Sequence, residues 1–280
     1  MSRLIVFFLG LWLAACSGDT LPPQANGDRP MRIVSLDFCS DQYVLKLADP
    51  EQILAVSPDA VKGFSFMRDE AVGVPSVRPL AEDVLILKPD LVVRSYGGGP
   101  NAAAFFERAG VPVLQVGWAS SIDGEELGSI PLLIENMADG LGQPERGQAL
   151  VTEYRDRLNR IKERPTEDSA LYMTPSGFTT GGGSLAHEMM VAAGLSNFQK
   201  SPGWRSLPLE RLAYAQPDLV AAAYFDTMTN HPDAWSASRH PVAREQLESP
   251  DTVSIKGAWL ACGGWFIMNG IEALAESATE

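Results

Sequence analysis

The chain has 280 residues, 45% hydrophobic and 20% charged, a balance that suits one large core or two lobes of ordinary domain size and excludes a disordered polymer. Its formal net charge is −13, with 22 Lys and Arg against 35 Asp and Glu, and no basic run occurs anywhere. Nucleic acid is therefore excluded as a partner, because phosphate binding needs a positive surface.

Residues 1–16 read as an export signal. Arg3 supplies a minimal positive start, and residues 4–13 form an apolar stretch too short to span a bilayer as a finished helix. Leu13-Ala14-Ala15-Cys16 resembles a bacterial lipobox, in which the cysteine becomes the lipidated first residue of the mature chain. Cleavage after small residues in an ordinary signal peptide is the alternative. Both place the mature protein outside the cytoplasm, with lipidation at Cys16 adding a membrane anchor. Residues 17–30, rich in Pro, Gly, Asp and Asn, form a flexible tether.

The next segments alternate between strand and helix. Residues 32–36 are a short apolar strand, 41–47 a helix, 53–56 a second strand and 74–77 an extended piece. Glu82-Asp83-Val84 then opens a short amphipathic helix, Pro89-Asp90 makes a turn, and a buried strand ends at Tyr96. A glycine run at 97–99 precedes a helix at 102–109 and a strand at 111–116. Residues 31–129 therefore form one α/β lobe with a mostly parallel sheet.

From 130 to 165 the pattern changes to helical spacing, with Leu132, Leu133, Met137, Leu150, Tyr154, Leu158 and Ile161 recurring between charges. The break at 140–144 predicts a helix to Gly140 and a long one over 144–164, a rigid connector. The second α/β lobe, 166–280, opens with a strand at 170–173, a Gly181-Gly182-Gly183-Ser184 turn and a helix at 185–193. Glu210-Arg211-Leu212 and Pro217-Asp218 then repeat the earlier module. Glu82 and Glu210, Pro89 and Pro217, and Tyr96 and Tyr224 are each 128 residues apart. A strand at 252–255 and a helix over 265–278 complete the lobe.

In open parallel sheets the ligand lies beyond the carboxyl ends of the strands, where the loops diverge. That rule nominates Asp37 to Cys39, Arg94 to Tyr96, Trp118, Phe178, Tyr224, Trp259 and Trp265 as candidates, with the aromatics suited to a large, flat, partly apolar ligand. Arg94 could fork onto a carboxylate or phosphate of a ligand, or pair with Asp83 or Asp90. The glycine run before Ser184 offers either amides for an anion or close packing. Asp37, Asp41 and Glu188 could supply oxygen ligands, though acidic residues abound here. Cys39 and Cys262 fall in cleft loops, one per lobe. A disulfide, two separate thiols, or thiolates meeting a metal all remain open. The three histidines, His187, His231 and His240, fit no metal-ligand spacing, and no Gly-x-Ser-x-Gly elbow occurs, so neither an enzyme nor a resident cofactor is expected.

Export signal, repeat and connector together resemble the periplasmic substrate-binding proteins of ABC importers. Within that family they resemble the group with a helical interlobe backbone that takes cobalamin, ferric siderophores or haem. The resemblance covers 32–278 and is carried, in order, by RIVSL, LKPDLVV, TTGGGS and AQPDLVAA. It implies two Rossmann-like lobes joined by a long rigid helical element, with a small-molecule ligand between them, cobalamin before a ferric siderophore or haem. It also implies a monomer that delivers its ligand to an ABC permease dimer, with Glu82 and Glu210 docking onto permease arginines. An exported hydrolase or a lipid-anchored interaction module on the same fold is the alternative, and turnover of chromogenic esters separates the hydrolase from a binding protein.

Overall fold

The computed structural model describes residues 29–117, 126–162, 166–224 and 237–278, so the export signal with Cys16, most of the tether, Trp118 and His231 lie outside the described residues. β1 (Ile33–Ser35) runs into Asp37, whose carboxylate accepts the Ser40 amide at 3.0 Å while the Ser40 hydroxyl accepts the Asp37 amide at 3.2 Å. This reciprocal cap starts α1 (Phe38–Leu47) three residues ahead of the expected position, because the Asp-x-x-Ser pair, and not the apolar run, sets the first turn. Then come β2 (Ile53–Ala55), α2 (Ala81–Ile86), β3 (Leu91–Arg94), α3 (Ala102–Arg108) and β4 (Val113–Gln115). The four strands form a parallel sheet in the order β2-β1-β3-β4. The extended piece expected at 74–77 makes only an isolated bridge, Ser76 to Val56.

The connector is a pair of helices, α4 (Glu126–Gly140) and α5 (Pro144–Lys162), packed on each other across a short turn. Beyond it lie β5 (Ser169–Met173), β6 (Phe178–Thr180), α6 (Leu185–Ala192), β7 (Ser196–Asn197), β8 (Trp204–Ser206), α7 (Leu209–Leu212), β9 (Leu219–Tyr224), α8 (Pro241–Leu247), β10 (Thr252–Lys256), α9 (Gly257–Leu260) and α10 (Met268–Ser277). A second parallel sheet has the order β10-β9-β5-β7. β6 and β8 form an antiparallel finger that the sequence pattern does not announce, since TTGGGS reads as a turn whereas Thr179 and Thr180 belong to β6. The helix expected from Trp265 begins at Met268, after a 3₁₀ turn over Trp265–Ile267.

The repeat is structural as well as sequential. Asp90 accepts the amides of Met31 and Arg32, each at 2.9 Å, and so pins the amino end of β1. Asp218 does the same for β5, accepting the Ser169 amide and hydroxyl, each at 2.7 Å, and these bonds lower its pKa. In each lobe the strand that follows the Pro-Asp turn pairs with the strand its aspartate has pinned. α2 and α7 therefore sit on corresponding corners of their sheets.

The two lobes share one core. Ile33 and Val93 of the first sheet, Ile134 and Met137 of α4, Val151 and Tyr154 of α5, and Met189 and Ile271 of the second lobe belong to a single buried cluster. Arg146 of α5 bonds the Leu47 carbonyl and Asp49 of the first lobe, and Arg157 forks onto Glu272 of α10 at 2.8 and 2.7 Å. Truncating a buried side chain of this cluster costs about 2–5 kcal/mol, whereas an ion pair as open as Arg146–Asp49 contributes about 0–1 kcal/mol. Apolar packing therefore holds the strut in place, and the two arginines orient it.

Candidate functional site

Strands of a parallel sheet all end on one edge, and here a covalent bond links the chain beyond that edge in one sheet to the chain beyond it in the other. Cys39, just past β1, and Cys262, just past β10 and α9, are joined by a disulfide with their Cα atoms 5.3 Å apart. Around it, the rings of Tyr43 and Trp265 meet edge to face at 5.3 Å, and Phe66 stacks on Phe266 at 4.8 Å. Trp265 is thus buried in the interlobe core and does not line an open loop, which corrects the expectation drawn from its position in the chain. Both sulfurs are held in the bond, so neither cysteine is a free thiolate.

Asp37 and Arg94 are also turned inward. Asp37 is buried, and its second carboxylate oxygen accepts the amides of Ser95, Tyr96 and Gly97 at 2.7, 3.0 and 2.8 Å. Gly97 is required at this nest, because a Cβ there would lie 2.5 Å from the Leu36 carbonyl oxygen. Arg94 donates to the Gly97 and Gly99 carbonyls at 2.8 and 2.9 Å and to Gln115 at 3.1 Å, not to Asp83 or Asp90. Asp83 instead pairs with Arg78 at 2.7 Å. Together Asp37 and Arg94 build the loop that carries Tyr96.

Tyr96 itself remains 46% exposed, two residues past the end of β3, where the strand stops earlier than its apolar run suggested. Phe38 meets it edge to face at 6.1 Å, and Phe64 meets Phe38 at 4.7 Å. Desolvation, followed by the charges of Asp37, Asp59 and Asp41, raises the Tyr96 phenol above its ordinary value. The side chain therefore offers a ring face and a hydroxyl, not a phenolate.

In the second lobe the chain folds back immediately after β5. The Phe178 amide bonds the Thr174 hydroxyl at 3.0 Å, closing a tight turn that lifts β6 and β8 beside the carboxyl edge. Phe178 is 46% exposed and Trp204 of β8 is 59% exposed, with the Trp204 ring edge-on to buried Tyr172 at 5.9 Å. Trp204 escapes the strand-end rule because it stands on an antiparallel excursion, although the run Gly203-Trp204-Arg205 is a signal in itself. Trp259, partly buried, lies under the Lys256 ammonium at 5.3 Å. Tyr224 ends β9 opposite Lys256, and its side chain, like Trp118, lies outside the described residues.

The glycine run before α6 serves packing. A Cβ on Gly181 would lie 2.0 Å from the Ser201 carbonyl oxygen, and the Ser184 hydroxyl caps the His187 amide at 3.1 Å. Among the described residues no group of three or more His, Cys, Asp and Glu is arranged to hold a metal ion.

Asp41 is fully buried behind the loop, accepting the Ser57 amide at 3.1 Å and hydroxyl at 2.5 Å. Burial pushes its carboxyl up to about 7, against the opposing hydrogen bonds from Ser35 and Ser57. The folded state thus holds a proton that the unfolded chain releases near the ordinary value of 3.8. Stability contributed by this proton is fully present below about 4 and is lost as pH rises toward 7, by on the order of 4 kcal/mol. Urea titrations of Asp41→Asn should show a flatter slope than the parent across that window; an unchanged slope would show that Asp41 is ionised in the fold.

A family model described as periplasmic binding protein matches residues 33–224. A cobalamin-binding protein of Halobacterium salinarum is 27% identical over 224 residues, 74% of this chain and 59% of that protein, so the chain spans well under two thirds of that relative. A vitamin B12-binding protein of Yersinia pseudotuberculosis is 22% identical over 73% of this chain and 72% of its own. Among solved structures, a periplasmic heme-binding protein from Pseudomonas aeruginosa superposes with a TM-score of 0.64 at 22% identity, covering 89% of this chain and 92% of its own. The periplasmic vitamin B12-binding protein of Vibrio cholerae gives 0.61 at 19% identity, covering 90% and 97%. These structural likenesses concern the fold.

Proposed function

The chain belongs to the periplasmic binding protein family, and on that footing we propose that it captures a metal-chelate ligand outside the inner membrane and hands it to an ABC permease dimer. Cobalamin or another corrinoid is the favoured ligand, ahead of haem and ferric siderophores. The observation that carries this reading is the set of exposed aromatic side chains near the carboxyl ends of the two sheets, Tyr96 from the first lobe and Phe178 and Trp204 from the second. Large rings left open to solvent on both sides of a cleft suit a wide, flat, partly apolar ligand. Trp259, with Lys256 above it, adds a cationic corner for an anionic substituent. The names of the curated relatives tilt the choice toward a corrinoid. Lipidation at Cys16, with export to the periplasm, keeps the protein near the membrane it serves; among the described residues no helix is long and apolar enough to cross one.

Titration of the protein with cyanocobalamin, haemin and a ferric hydroxamate, followed by tryptophan fluorescence and visible absorption, tests the assignment. Saturable one-to-one binding of cyanocobalamin in preference to the other two is expected. Saturation by haemin or the hydroxamate alone moves the ligand class; binding of none of the three removes the metal-chelate reading. Tyr96→Ala and Trp204→Ala should each weaken binding about tenfold, the equivalent of about 1.4 kcal/mol of ring contact, with melting temperature unchanged. Parent-level affinity in both variants would place the ligand elsewhere.

A further inference from the structure

Among the described residues, the two large apolar side chains most open to solvent are Tyr214 at 92% and Ile86 at 76%. They are 128 residues apart, the offset of the repeated module, and each stands four residues beyond an exposed glutamate, Glu82 or Glu210. On α2 that spacing puts Glu82 and Ile86 on one face. α7 ends at Leu212, but the Tyr214 and Ala215 amides still bond the Arg211 carbonyl at 3.0 and 2.9 Å, so the helical turn continues beneath Tyr214. The Asp90 and Asp218 pins seat the two modules alike on their sheets.

An isolated exposed apolar residue needs no explanation. Two at equivalent positions, each beside a carboxylate on the same helical face, form a duplicated patch of one acid and one apolar knob. We infer that Ile86 and Tyr214 are apolar anchors beside the two glutamates, each seated in an apolar recess on one subunit of a two-fold-symmetric membrane-protein dimer. The two-fold character follows from the duplication, since one chain that presents the same pair of groups twice matches two copies of one partner surface. The inference rests on the proposed delivery to a permease dimer and adds the apolar half of the contact. In that division of labour the glutamates steer and orient, while Ile86 and Tyr214 are the anchors that lose water on contact and slow dissociation.

The test uses the full protein loaded with cyanocobalamin and the cognate permease dimer in lipid nanodiscs, with docking read by biolayer interferometry at low and high salt. Because both side chains face solvent, Ile86→Ser with Tyr214→Ser leaves melting temperature and cyanocobalamin affinity as in the parent. Docking should weaken about 10- to 100-fold, chiefly through faster dissociation and to a similar degree at both salt concentrations. Glu82→Gln with Glu210→Gln should instead lose docking in a manner that depends steeply on salt. Parent-like docking of the serine pair beside failure of the glutamine pair overturns the apolar anchors and leaves the delivery reading standing. Parent-like docking of both pairs overturns the two together. Self-association of the parent in sedimentation, abolished by the serine pair, assigns the patch to a second copy of this chain and also overturns the inference.

Discussion

Replacing Cys39 and Cys262 together by serine should lower the unfolding free energy by about 4 kcal/mol, read from urea transitions of oxidised parent and double variant. The bond closes a loop of 223 residues of sequence separation, so most of the chain's conformational freedom in the unfolded state is restricted by this one crosslink. It also ties the first turn of α1 to the loop after α9, where the lobes meet. Parent protein treated with reductant should match the serine variant, which separates loss of the crosslink from any packing defect of serine. Native far-ultraviolet dichroism is expected in both, because Cys39 and Cys262 are two members of a large shared core whose other side chains and connector hairpin remain in place. A loss below about 1 kcal/mol would mean that the unfolded chain is already compact, or that the closed bond strains the fold.

Reversing both of the proposed docking charges, Glu82→Arg with Glu210→Arg, should abolish ligand uptake while cyanocobalamin affinity stays at the parent value. Both side chains are exposed, and neither belongs to the set of aromatic residues proposed to hold the ligand. Disrupting a close interfacial charge pair costs about 2 kcal/mol or more, so two reversals weaken docking roughly 1,000-fold. Each single reversal should produce about half that effect on a logarithmic scale, because the sites lie in separate lobes and share no contact. Uptake assays in cells lacking the native protein make the measurement, and undiminished uptake by the double variant would falsify delivery through these corners.

The lobes and the repeat were legible in the sequence for a physical reason. Pro-Asp-Leu-Val turns into buried strands are dictated by backbone chemistry, and the aspartates of both copies perform the same task on a neighbouring strand. The helical connector was legible too, since its apolar residues recur at helical spacing over more than 30 residues. Side-chain direction was not. Asp37 and Arg94 sit at or near strand ends and Trp265 lies in the segment beyond β10 and α9, but rotamer and loop path turn all three into the framework. The finger bearing Trp204 stayed hidden because a three-residue strand has too little pattern to stand out. The cysteine pairing stayed open because sequence separation says nothing about a 5.3 Å distance in space.

The strut has a further consequence for delivery. Each proposed docking corner is keyed to its own sheet, and the two sheets are tied together by α5, a shared core and a crosslink. Ligand arrival therefore has little means of altering the distance between the two corners. In the proposed function, a permease would meet nearly the same footprint on vacant and occupied carriers, so vacant carriers would compete for the dock. Import would then follow the fraction of carriers that hold cargo and not their total abundance, and overproducing the carrier at scarce ligand would slow uptake.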